Sequence, residues 1–561
     1  MPSRRWMTAW RLLKSGDLKQ LFSRALKVFR QTNSRSNVDY SQWRKTWVEL
    51  NNTEKVQLAR IVDSLDSQPY FTLLLQEDQT DHDSLSSIVE SVIAQLYPNW
   101  VLHILIENPK NLELSEKFST INDERIKFTD SVPPFNDHWV IELNQEMKLH
   151  EAALLVMAVS ISENPEIAIV YSDHDHVDSS GKFSDPHMKP DWNPDLLAAV
   201  NYMGPFIACR PELWELHRNK RVDQHNFLLE VTNNLKTEKI FHIPQVLLSV
   251  QICDRETHLF PATRRVHYDV PSPAPLVSIL IPTRDQGRML ERCLTSIFDM
   301  TDYTNFEIIL INHETKELRA QKIISDFDRN INFHIINFSG LFNFSAMINR
   351  AAEIANGQIL VLLNNDTEVI DTNWLTELVS QVSRPEVGIV GSLLLFGDNT
   401  IQHAGVHPGV GGLMGHGHKH LPDGSSGYFN RLKAVHEVAA VTGACLTIEK
   451  VLWDEIGGLD EYNLAVAYND IDLCFKVRQK NFRVLFTPFS RLKHHESVSR
   501  GVDEDPIRNQ RLKQEISVMN QRWGAFLEND PAYSPNLSFN GGGFKLADTP
   551  RKLPLWKQLD E

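Results

Sequence analysis

Residues 359–369 read ILVLLNNDTEV, and this stretch decides both the fold and the place of the site. The aliphatic run is typical of a buried strand, and its carboxyl end carries Asn364, Asn365 and Asp366 with a turn following. Open α/β sheets bind ligands outside the carboxyl ends of their strands, where side chains can converge on a phosphate or a metal. The stretch therefore predicts an α/β fold with a ligand site at this strand end.

The length and composition of the chain indicate several globular units. A chain of 561 residues with 42% hydrophobic residues is expected to form about two to four domains. Its longest apolar run, AALLVMAVSI at 152–161, is shorter than the ~20 residues of a membrane helix. The N-terminus shows no secretory signal pattern, so we expect a cytoplasmic protein.

Charge and cysteine content exclude other classes of protein. The formal net charge of -15 argues against nucleic acid as the partner. The five cysteines are scattered without paired spacing, which supports neither a disulfide framework nor a zinc site. Their positions are Cys209, Cys253, Cys293, Cys445 and Cys474.

The first thirty residues differ in charge from the rest of the chain. Eight basic residues face only Asp17, and they are interleaved with Trp6 and Trp10. Such a pattern is compatible with a basic amphipathic helix on an anionic bilayer, which would give peripheral contact with the inner membrane face. A solvated helix packing on its own protein is equally compatible.

An internal repeat divides the chain at the proline-rich connector YDVPSPAPLVS, 268–278. FTLLLQEDQ at 71–79 resembles VSILIPTRD at 277–285, and both are followed by an amphipathic helical stretch. Apolar strand runs that alternate with helical patterns favour mostly parallel sheets. We therefore predict four parts, which are a basic helical N-terminal segment (1–66), a first α/β unit (67–267), a second α/β unit (268–530) and a C-terminal tail (531–561).

The second unit resembles the family 2 glycosyltransferases, the inverting, metal-dependent group with a GT-A fold. The match runs from about 277 to 503 and carries its motifs in the family's order, namely VSILIPTRD, LLNNDTEV, VTGACLTI with GGLDE, YNDIDLCFKV and HHESVSRG. The resemblance implies two tandem GT-A domains in the whole chain. It also implies sugar transfer from a nucleotide-diphosphate donor to a glycan or lipid-linked acceptor, in cell-surface polysaccharide synthesis of the O-antigen or capsule kind.

The resemblance also implies a divalent metal, Mn²⁺ or Mg²⁺. Sugar transfer leaves negative charge on the departing phosphate, and a hard cation held by oxygen ligands stabilises it. Asp366 is the best ligand by chemistry, and His494 matches the family histidine that can complete the metal shell. Asn364 stands where the family often has a first aspartate. The alternative for the Asn–Asp pair is an Asx-turn that ends a strand.

Asp470 is the residue that the resemblance assigns to deprotonating the acceptor hydroxyl. A hydroxyl is a poor nucleophile until a base takes its proton, and a single displacement with one base inverts the anomeric carbon. Helix capping is the alternative for Asp470, while Asp472 is expected to be structural. The remaining expected contacts to acceptor or diphosphate are Gly443, Asn469, His495 and Arg500.

The opening strand and loop are expected to hold the nucleotide. The residues that the resemblance assigns to nucleotide-sugar binding are Pro282, Thr283, Arg284, Asp285, Asn312, Asn364 and Asn365. Asn312 departs from the family, which usually has an aspartate there, and an amide oxygen accepts a hydrogen bond more weakly than a carboxylate. Farther along, the stretch 403–432 is rich in histidine and glycine, and we interpret it as a mobile lid.

The first unit lacks the metal-binding and base residues expected in the second unit, and it is predicted to be inactive. Asn144 and Gln145 stand where the metal motif should be, with no aspartate, and neither the acid-bearing helix start nor the histidine is present. Asp173 and Asp175 survive in YSDHD as a structural loop or a relic sugar site. The rival hypotheses are a non-catalytic scaffold that binds sugar nucleotide or carbohydrate, a bifunctional transferase with both domains active, and a nucleotidyltransferase.

Overall fold

The structure is a computed structural model that describes residues 38–76, 82–106, 123–216, 223–252, 263–410, 412–495, 506–540 and 543–559. The basic stretch before residue 38, Arg500 and Cys253 lie outside the described residues, so the predictions made for them stay predictions.

Two short helices lead into the first unit, α1 (Tyr40–Trp47) and α2 (Asn52–Val62). Asn51 and Glu54 form a capping box at the start of α2, in which each side chain accepts a hydrogen bond from the other residue's backbone amide. Leu58 and Val62 of α2 are buried in the core of the first unit. The part of the N-terminal segment that the structure describes is therefore packed on the protein itself.

The first unit is a mixed sheet with helices on its faces. Its elements are β1 (Phe71–Gln76), α3 (His82–Ile93), β2 (Trp100–Leu105), β3 (Ile126–Thr129), β4 (Trp139–Leu143), β5 (Met147–Leu149), α4 (Ala153–Glu163), β6 (Ile169–Val177), β7 (Phe183–His187), α5 (Pro194–Ala199), β8 (Ile207–Cys209), α6 (Pro211–Glu215), α7 (Gln224–Thr232), a 3₁₀ turn (Thr237–Lys239) and β9 (Ile240–Gln251).

The second unit repeats this plan and adds a hairpin and a long helix. Its elements are β10 (Val277–Thr283), α8 (Gly287–Met300), β11 (Phe306–His313), α9 (Leu318–Phe327), β12 (Phe333–Phe338), α10 (Phe344–Ile354), β13 (Ile359–Leu363), β14 (Thr367–Val369), α11 (Trp374–Val382), β15 (Val387–Leu395), β16 (Ile401–His403), β17 (Val406–Pro408), β18 (Met414–His416), a 3₁₀ turn (Tyr428–Lys433), β19 (His436–Glu437), β20 (Cys445–Glu449), α12 (Lys450–Ile456), α13 (Asn469–Gln479), β21 (Arg483–His494) and α14 (Pro506–Glu528), after which α15 (Leu555–Gln558) follows.

The two sheets share one strand order. The first runs β3-β2-β1-β4-β8-β6-β9-β5 and the second runs β12-β11-β10-β13-β20-β15-β21-β14, so each strand in the first order has a counterpart in the second. In the second sheet β12, β11, β10 and β13 are parallel, whereas β20 and β14 pair with their neighbours in the antiparallel sense. This confirms the predicted fold class of two tandem α/β units. The prediction of mostly parallel sheets was wrong, because both sheets are mixed, with antiparallel pairs such as β4–β8 and β13–β20.

The NND stretch follows a strand that is buried along its whole length. All five residues of β13 are buried, and alternate side chains enter two cores, with Leu360 and Leu362 on one face and Val361 and Leu363 on the other. A strand covered on both faces reads as a continuous aliphatic run, which explains ILVLL. The polar residues begin at Asn364, directly after the end of the strand that is covered on both faces.

The segment predicted as a C-terminal tail runs back over the first unit. Asn536 donates from Nδ2 to Asp173 Oδ2 at 3.1 Å, and Trp43 donates from Nε1 to the carbonyl of Ala547 at 2.9 Å. Trp556 of α15 is 1% exposed within the core of the first unit, where its ring stacks on His150. The last described residues of the chain therefore complete the unit that begins it.

Ionic contacts fix the two units against each other. Asp195 of the first unit meets Arg384 at 2.6 Å and Arg483 at 3.1 Å, both from the second unit. Phe429 stacks on His187 with ring centroids 3.5 Å apart. Within the described ranges, no helix combines the length and apolar character needed to cross a membrane.

Candidate active site

The NND turn is held at the carboxyl edge of the second sheet by hydrogen bonds to both neighbouring strands. Asn365 donates from Nδ2 to Thr283 Oγ1, at the end of β10, over 2.8 Å. The backbone amide of Asn364 donates to the carbonyl of Ala444, just before β20, over 3.1 Å. The turn therefore connects the nucleotide side predicted from the sequence with the acceptor side.

His494 reaches this turn because β14 and β21 are antiparallel neighbours, with Thr367 opposite His494. Its Nε2 lies 3.1 Å from Asp366 Oδ1 and 3.4 Å from Asn364 Nδ2. His495 turns to the other side, where its Nε2 lies 2.6 Å from Glu368 Oε2. Successive residues at a strand end point in opposite directions, so His494 and His495 cannot serve the same site.

Asp366 and His494 fit a metal that takes its other ligands from water and substrate. They do not form a complete metal site made of protein groups alone. Among the residues that the structure describes, no group of three or more His, Cys, Asp or Glu is arranged to hold a metal. A carboxylate and an imidazole 3.1 Å apart nevertheless match two neighbouring ligands of an octahedral ion, because bonds of ~2.1 Å at right angles separate such atoms by about 3.0 Å. Ions of this kind commonly take their remaining ligands from water and substrate phosphates.

Asp470 lies at the start of α13, next to the acceptor-side loop. Its Oδ2 accepts a hydrogen bond from the backbone amide of Gly443 at 2.8 Å, and burial raises the pKa of its carboxyl group. Gly443 is followed by Ala444, whose carbonyl accepts the hydrogen bond from the Asn364 amide. Asp470 is therefore connected to the NND turn through these two hydrogen bonds and the Gly443–Ala444 peptide bond. The structure thus brings Asp470, Asp366 and His494 to one edge of one sheet.

The neighbours of Asp470 on α13 have structural contacts. Asn469 is buried, where its Nδ2 donates to Ser345 Oγ at 3.0 Å and its Oδ1 accepts from the amide of Asp470. Asp472 is fully buried and accepts from Arg522 at 2.7 Å and Trp523 at 2.8 Å, which ties α13 to α14. The predicted structural role of Asp472 agrees with these contacts, and Asn469 shares that character.

Three polar side chains line up across the parallel strands on the nucleotide side. Thr283 is opposite Asn312, and Asn312 is opposite Asn337. Asn312 donates from Nδ2 to Asn337 Oδ1 at 3.0 Å and accepts from the amide of Thr315 at 3.2 Å. This row forms a polar floor at the strand ends, with Asn337 as a member that the sequence did not reveal.

The loop after β10 presents its predicted residues differently. Arg284 is exposed and Pro282 is half-buried. Asp285 accepts from the amides of Glu317 at 2.8 Å and Lys316 at 2.6 Å, and these hydrogen bonds lower the pKa of its carboxyl group. Asp285 therefore anchors the loop before α9, in addition to any contact with a nucleotide.

Part of the histidine-rich stretch is packed, whereas residues 419–424 are exposed, and the mobile lid stays a prediction. β17 pairs with β18, and His403, His407 and His418 are buried. His407 Nδ1 lies 2.9 Å from Asp530 Oδ2. Burial lowers the pKa of His416 to about 4, which keeps that ring neutral. The glycines permit tight backbone approaches here, as at Gly409, whose positive φ angle of 75° places it against Phe539.

The equivalent edge of the first unit differs in three places. Glu146 follows Asn144 and Gln145 directly, immediately before β5, so it occupies the position of Asp366. The sequence comparison missed this carboxylate. Val250 pairs with Met147 as His494 pairs with Thr367, so the histidine is replaced by an aliphatic residue.

The position equivalent to Asp470 is also changed in the first unit. A side chain at Gly204 would collide with Gln224, just as one at Gly443 would touch Asp470. Gln224 donates from Nε2 to the carbonyl of Pro205 at 2.9 Å. An amide thus fills the place that an aspartate fills in the second unit.

The acidic cluster of the first unit is a buried structural network. Asp173 Oδ1 lies 2.8 Å from His242 Nε2 and also accepts from the amide of Lys189 at 2.8 Å. Asp175 is fully buried and pairs with Arg44 of α1 at 2.9 Å. These residues join the N-terminal helix, the first sheet and the C-terminal segment, so of the two interpretations of YSDHD the structural one agrees with the contacts.

Comparison with known proteins adds family relationships to this geometry. Residues 278–429 match the family model described as Glycosyl transferase family 2. An uncharacterised protein of Sinorhizobium fredii, y4gI, is 32% identical over 91% of this chain and 62% of its own length. The O-antigen biosynthesis protein RfbC of Myxococcus xanthus is 29% identical over 88% of this chain and 42% of its own length. The chain spans less than two thirds of the length of each relative.

Solved structures give a more partial likeness. GalNAc-T7 in complex with UDP, GalNAc and Mn²⁺ superposes with a TM-score of 0.37 and 20% identity, over 45% of this chain and 50% of that chain. The mannosyltransferase PcManGT of Pyrobaculum calidifontis, in complex with GDP-Man and Mn²⁺, has a TM-score of 0.33 and 16% identity, over 46% of this chain and 68% of that chain. Each superposition covers less than half of this chain.

Proposed function

We propose that the second unit, in which residues 278–429 match the Glycosyl transferase family 2 model, transfers a sugar from a nucleotide-diphosphate donor to a glycan or lipid-linked acceptor, with inversion. The observation that carries this proposal is the convergence of Asp366, His494 and Asp470 at one edge of the sheet. The similarity to an O-antigen biosynthesis protein supports an acceptor in cell-surface polysaccharide synthesis.

The nucleotide would lie over the row of Thr283, Asn312 and Asn337. Asn312 offers amide groups that can pair with a base edge, and Thr283 is held in place by Asn365 at 2.8 Å. The diphosphate would then extend from this row toward Asp366. The donor is therefore oriented along the strand ends, with its anomeric carbon toward the acceptor side.

Asp366 and His494 would hold the divalent ion, Mn²⁺ or Mg²⁺, which when bound supplies Lewis-acid stabilisation of the charge on the departing diphosphate. Asn364 lies beside both ligands and can donate hydrogen bonds from Nδ2, although it brings no charge. The site thus has one carboxylate, and it depends on the second strand, β21, for its other ligand.

Asp470 would accept the proton of the acceptor hydroxyl as that oxygen attacks the anomeric carbon. Burial raises the pKa of Asp470, which makes the carboxylate a stronger base than an ordinary aspartate. The Gly443 amide keeps Oδ2 in place. With one base and one displacement the anomeric configuration inverts.

We propose a scaffolding role for the first unit. Val250 and Gln224 stand at the positions of the second metal ligand and the base, so a displacement has no base there. Its contacts with the second unit through Asp195 support a role in holding the second unit in place.

A donor panel tests the proposal. The purified chain would be incubated with UDP-, GDP- and dTDP-sugars, with glycan and lipid-linked acceptors, in Mn²⁺, Mg²⁺ or EDTA. We expect metal-dependent transfer with inverted configuration by NMR of the product, and its loss in Asp470→Asn. A product that retains the donor's configuration contradicts the mechanism. Donor binding without turnover under every condition supports a non-catalytic scaffold instead.

A further inference from the structure

Gln402 of β16 lies against the back of the His494 ring. It is 3% exposed, and its Oε1 lies 2.7 Å from His494 Nδ1. Its Nε2 lies 3.5 Å from the backbone carbonyl oxygen of the same histidine. One amide therefore contacts both the ring and the backbone of His494.

These two contacts determine which way the amide faces. A backbone carbonyl can only accept a hydrogen bond, so the NH₂ group of Gln402 must be the end that faces it. The carbonyl oxygen of the amide then faces Nδ1 and can only accept, so Nδ1 of His494 carries the hydrogen.

The tautomer of His494 follows from this orientation. A neutral imidazole carries one N–H, so with hydrogen on Nδ1 the lone pair lies on Nε2. Nε2 is the atom 3.1 Å from Asp366 Oδ1, at the place where a metal would bind. A histidine that ligates a metal needs that lone pair, and its other nitrogen usually donates to a partner that holds the ring.

We propose that Gln402 is a positioning residue that holds His494 in the tautomer whose Nε2 lone pair faces Asp366. The proposal rests on the proposed function, since it concerns the same metal site. Gln402 touches neither substrate nor metal, and it acts through His494. No local sequence pattern indicates this role, because the contact joins two residues 92 positions apart in the chain.

The substitutions Gln402→Leu and Gln402→Glu separate positioning from packing. Leucine keeps the volume and removes the acceptor, whereas glutamate keeps an acceptor toward Nδ1 and adds a buried charge. For a positioning role we expect Gln402→Leu to weaken Mn²⁺ binding about 10- to 100-fold, the range measured for partners of metal ligands, and Gln402→Glu to restore most of it. For a packing role Gln402→Glu would be the more damaging change. The matched control is Gln381→Leu, a buried glutamine in α11 that contacts Glu377.

Two measurements make the test independent of turnover. Binding of Mn²⁺, alone and with UDP or GDP, is followed by electron paramagnetic resonance of the free ion. The tautomer is read from ¹⁵N shifts of histidine-labelled, metal-free protein well above the ordinary histidine pKa of about 6.5, with the His494 signal assigned by its loss in His494→Asn. We expect the Nδ1–H form in the wild type and in Gln402→Glu, and a shift toward the Nε2–H form in Gln402→Leu. An Nε2–H form in the wild type overturns the inference even if transfer is observed, while the expected tautomer without transfer leaves the inference standing and removes the proposed function.

Discussion

The two units share a sheet and differ at its edge. Their strand orders correspond strand for strand, and the turn after β4 corresponds to the turn after β13 residue by residue. Yet Glu146 faces no histidine in the described structure, because Val250 stands at the position of His494. The same strand order carries different residues at its edge in the two units. The sheet alone therefore does not determine the candidate site.

The difference between the units is concentrated in residues that the core does not need. Polar edge residues contribute little to burial, so they can change without loss of the sheet. Away from this edge, Asp173, Asp175 and Lys189 of the first unit are fully buried and bonded, as is Asp472 of the second unit. Buried polar groups therefore join separate segments of the chain in both units.

The largest expected effect comes from the base position. Asp470→Asn should lower turnover by about 10²- to 10⁴-fold, because the acceptor hydroxyl then keeps its proton during attack. The change to make in the first unit is Gln224→Asn, which shortens the amide at the equivalent place and should leave turnover unchanged. Steady-state kinetics with a fixed donor measures both. Equal losses in the two variants would show that the units are not functionally distinct.

Removal of Trp556 should affect the first unit before the second. Trp556→Ala empties a buried position in the first core and should cost about 3–5 kcal/mol. Tyr462→Ala serves as control, because that side chain is 88% exposed and should cost less than about 0.5 kcal/mol. Urea unfolding measures the loss, and hydrogen exchange locates it. Protection lost first from strands of the second unit would contradict the assignment.

The carboxylates at the two equivalent turns should differ in metal binding. Asp366→Asn should weaken Mn²⁺ binding by about 100-fold or more, since it removes a direct ligand and loss of an outer partner alone costs 10- to 100-fold. Glu146→Gln should leave Mn²⁺ binding within experimental error. Titration calorimetry with Mn²⁺ and UDP compares them. A similar loss in Glu146→Gln would revive the hypothesis of two active domains.

The smallest expected effect is a shift in the pH profile of turnover. Burial raises the pKa of Asp470 above the ordinary value of about 3.9, so its carboxylate takes up a proton at a higher pH. A protonated carboxyl group is no base, so turnover should be complete above this raised pKa and be lost as the pH falls through it. The kcat profile measures the limb, with circular dichroism over the same range to show that the fold persists. A loss of turnover at the ordinary aspartate pKa of about 3.9 would show that the raised pKa of the buried Asp470 does not control catalysis.

The sequence predicted the fold and much of the candidate site because both leave local patterns. The run ILVLL indicates a strand buried on both faces. In the structure Asp366 follows this strand, Asp470 lies at the start of α13 and His494 ends β21. Gln402 and Asn337 have no such signal, since their positions depend on pairing between distant strands. The burial of histidines at 403–418 has no local signal either, because it depends on Asp530 and on the pairing of β17 with β18.

The C-terminal segment has a consequence for synthesis of the chain. The strands of the first unit leave the ribosome hundreds of residues before Trp556, although Trp556 belongs to their core. Domains generally fold in the order in which they are made, but this first unit cannot close its core until the second has been translated. During that interval His150 and its apolar neighbours have no Trp556 to cover them. The first unit of the nascent chain therefore exposes apolar surface to aggregation and to chaperone capture until the segment that carries Trp556 has been made.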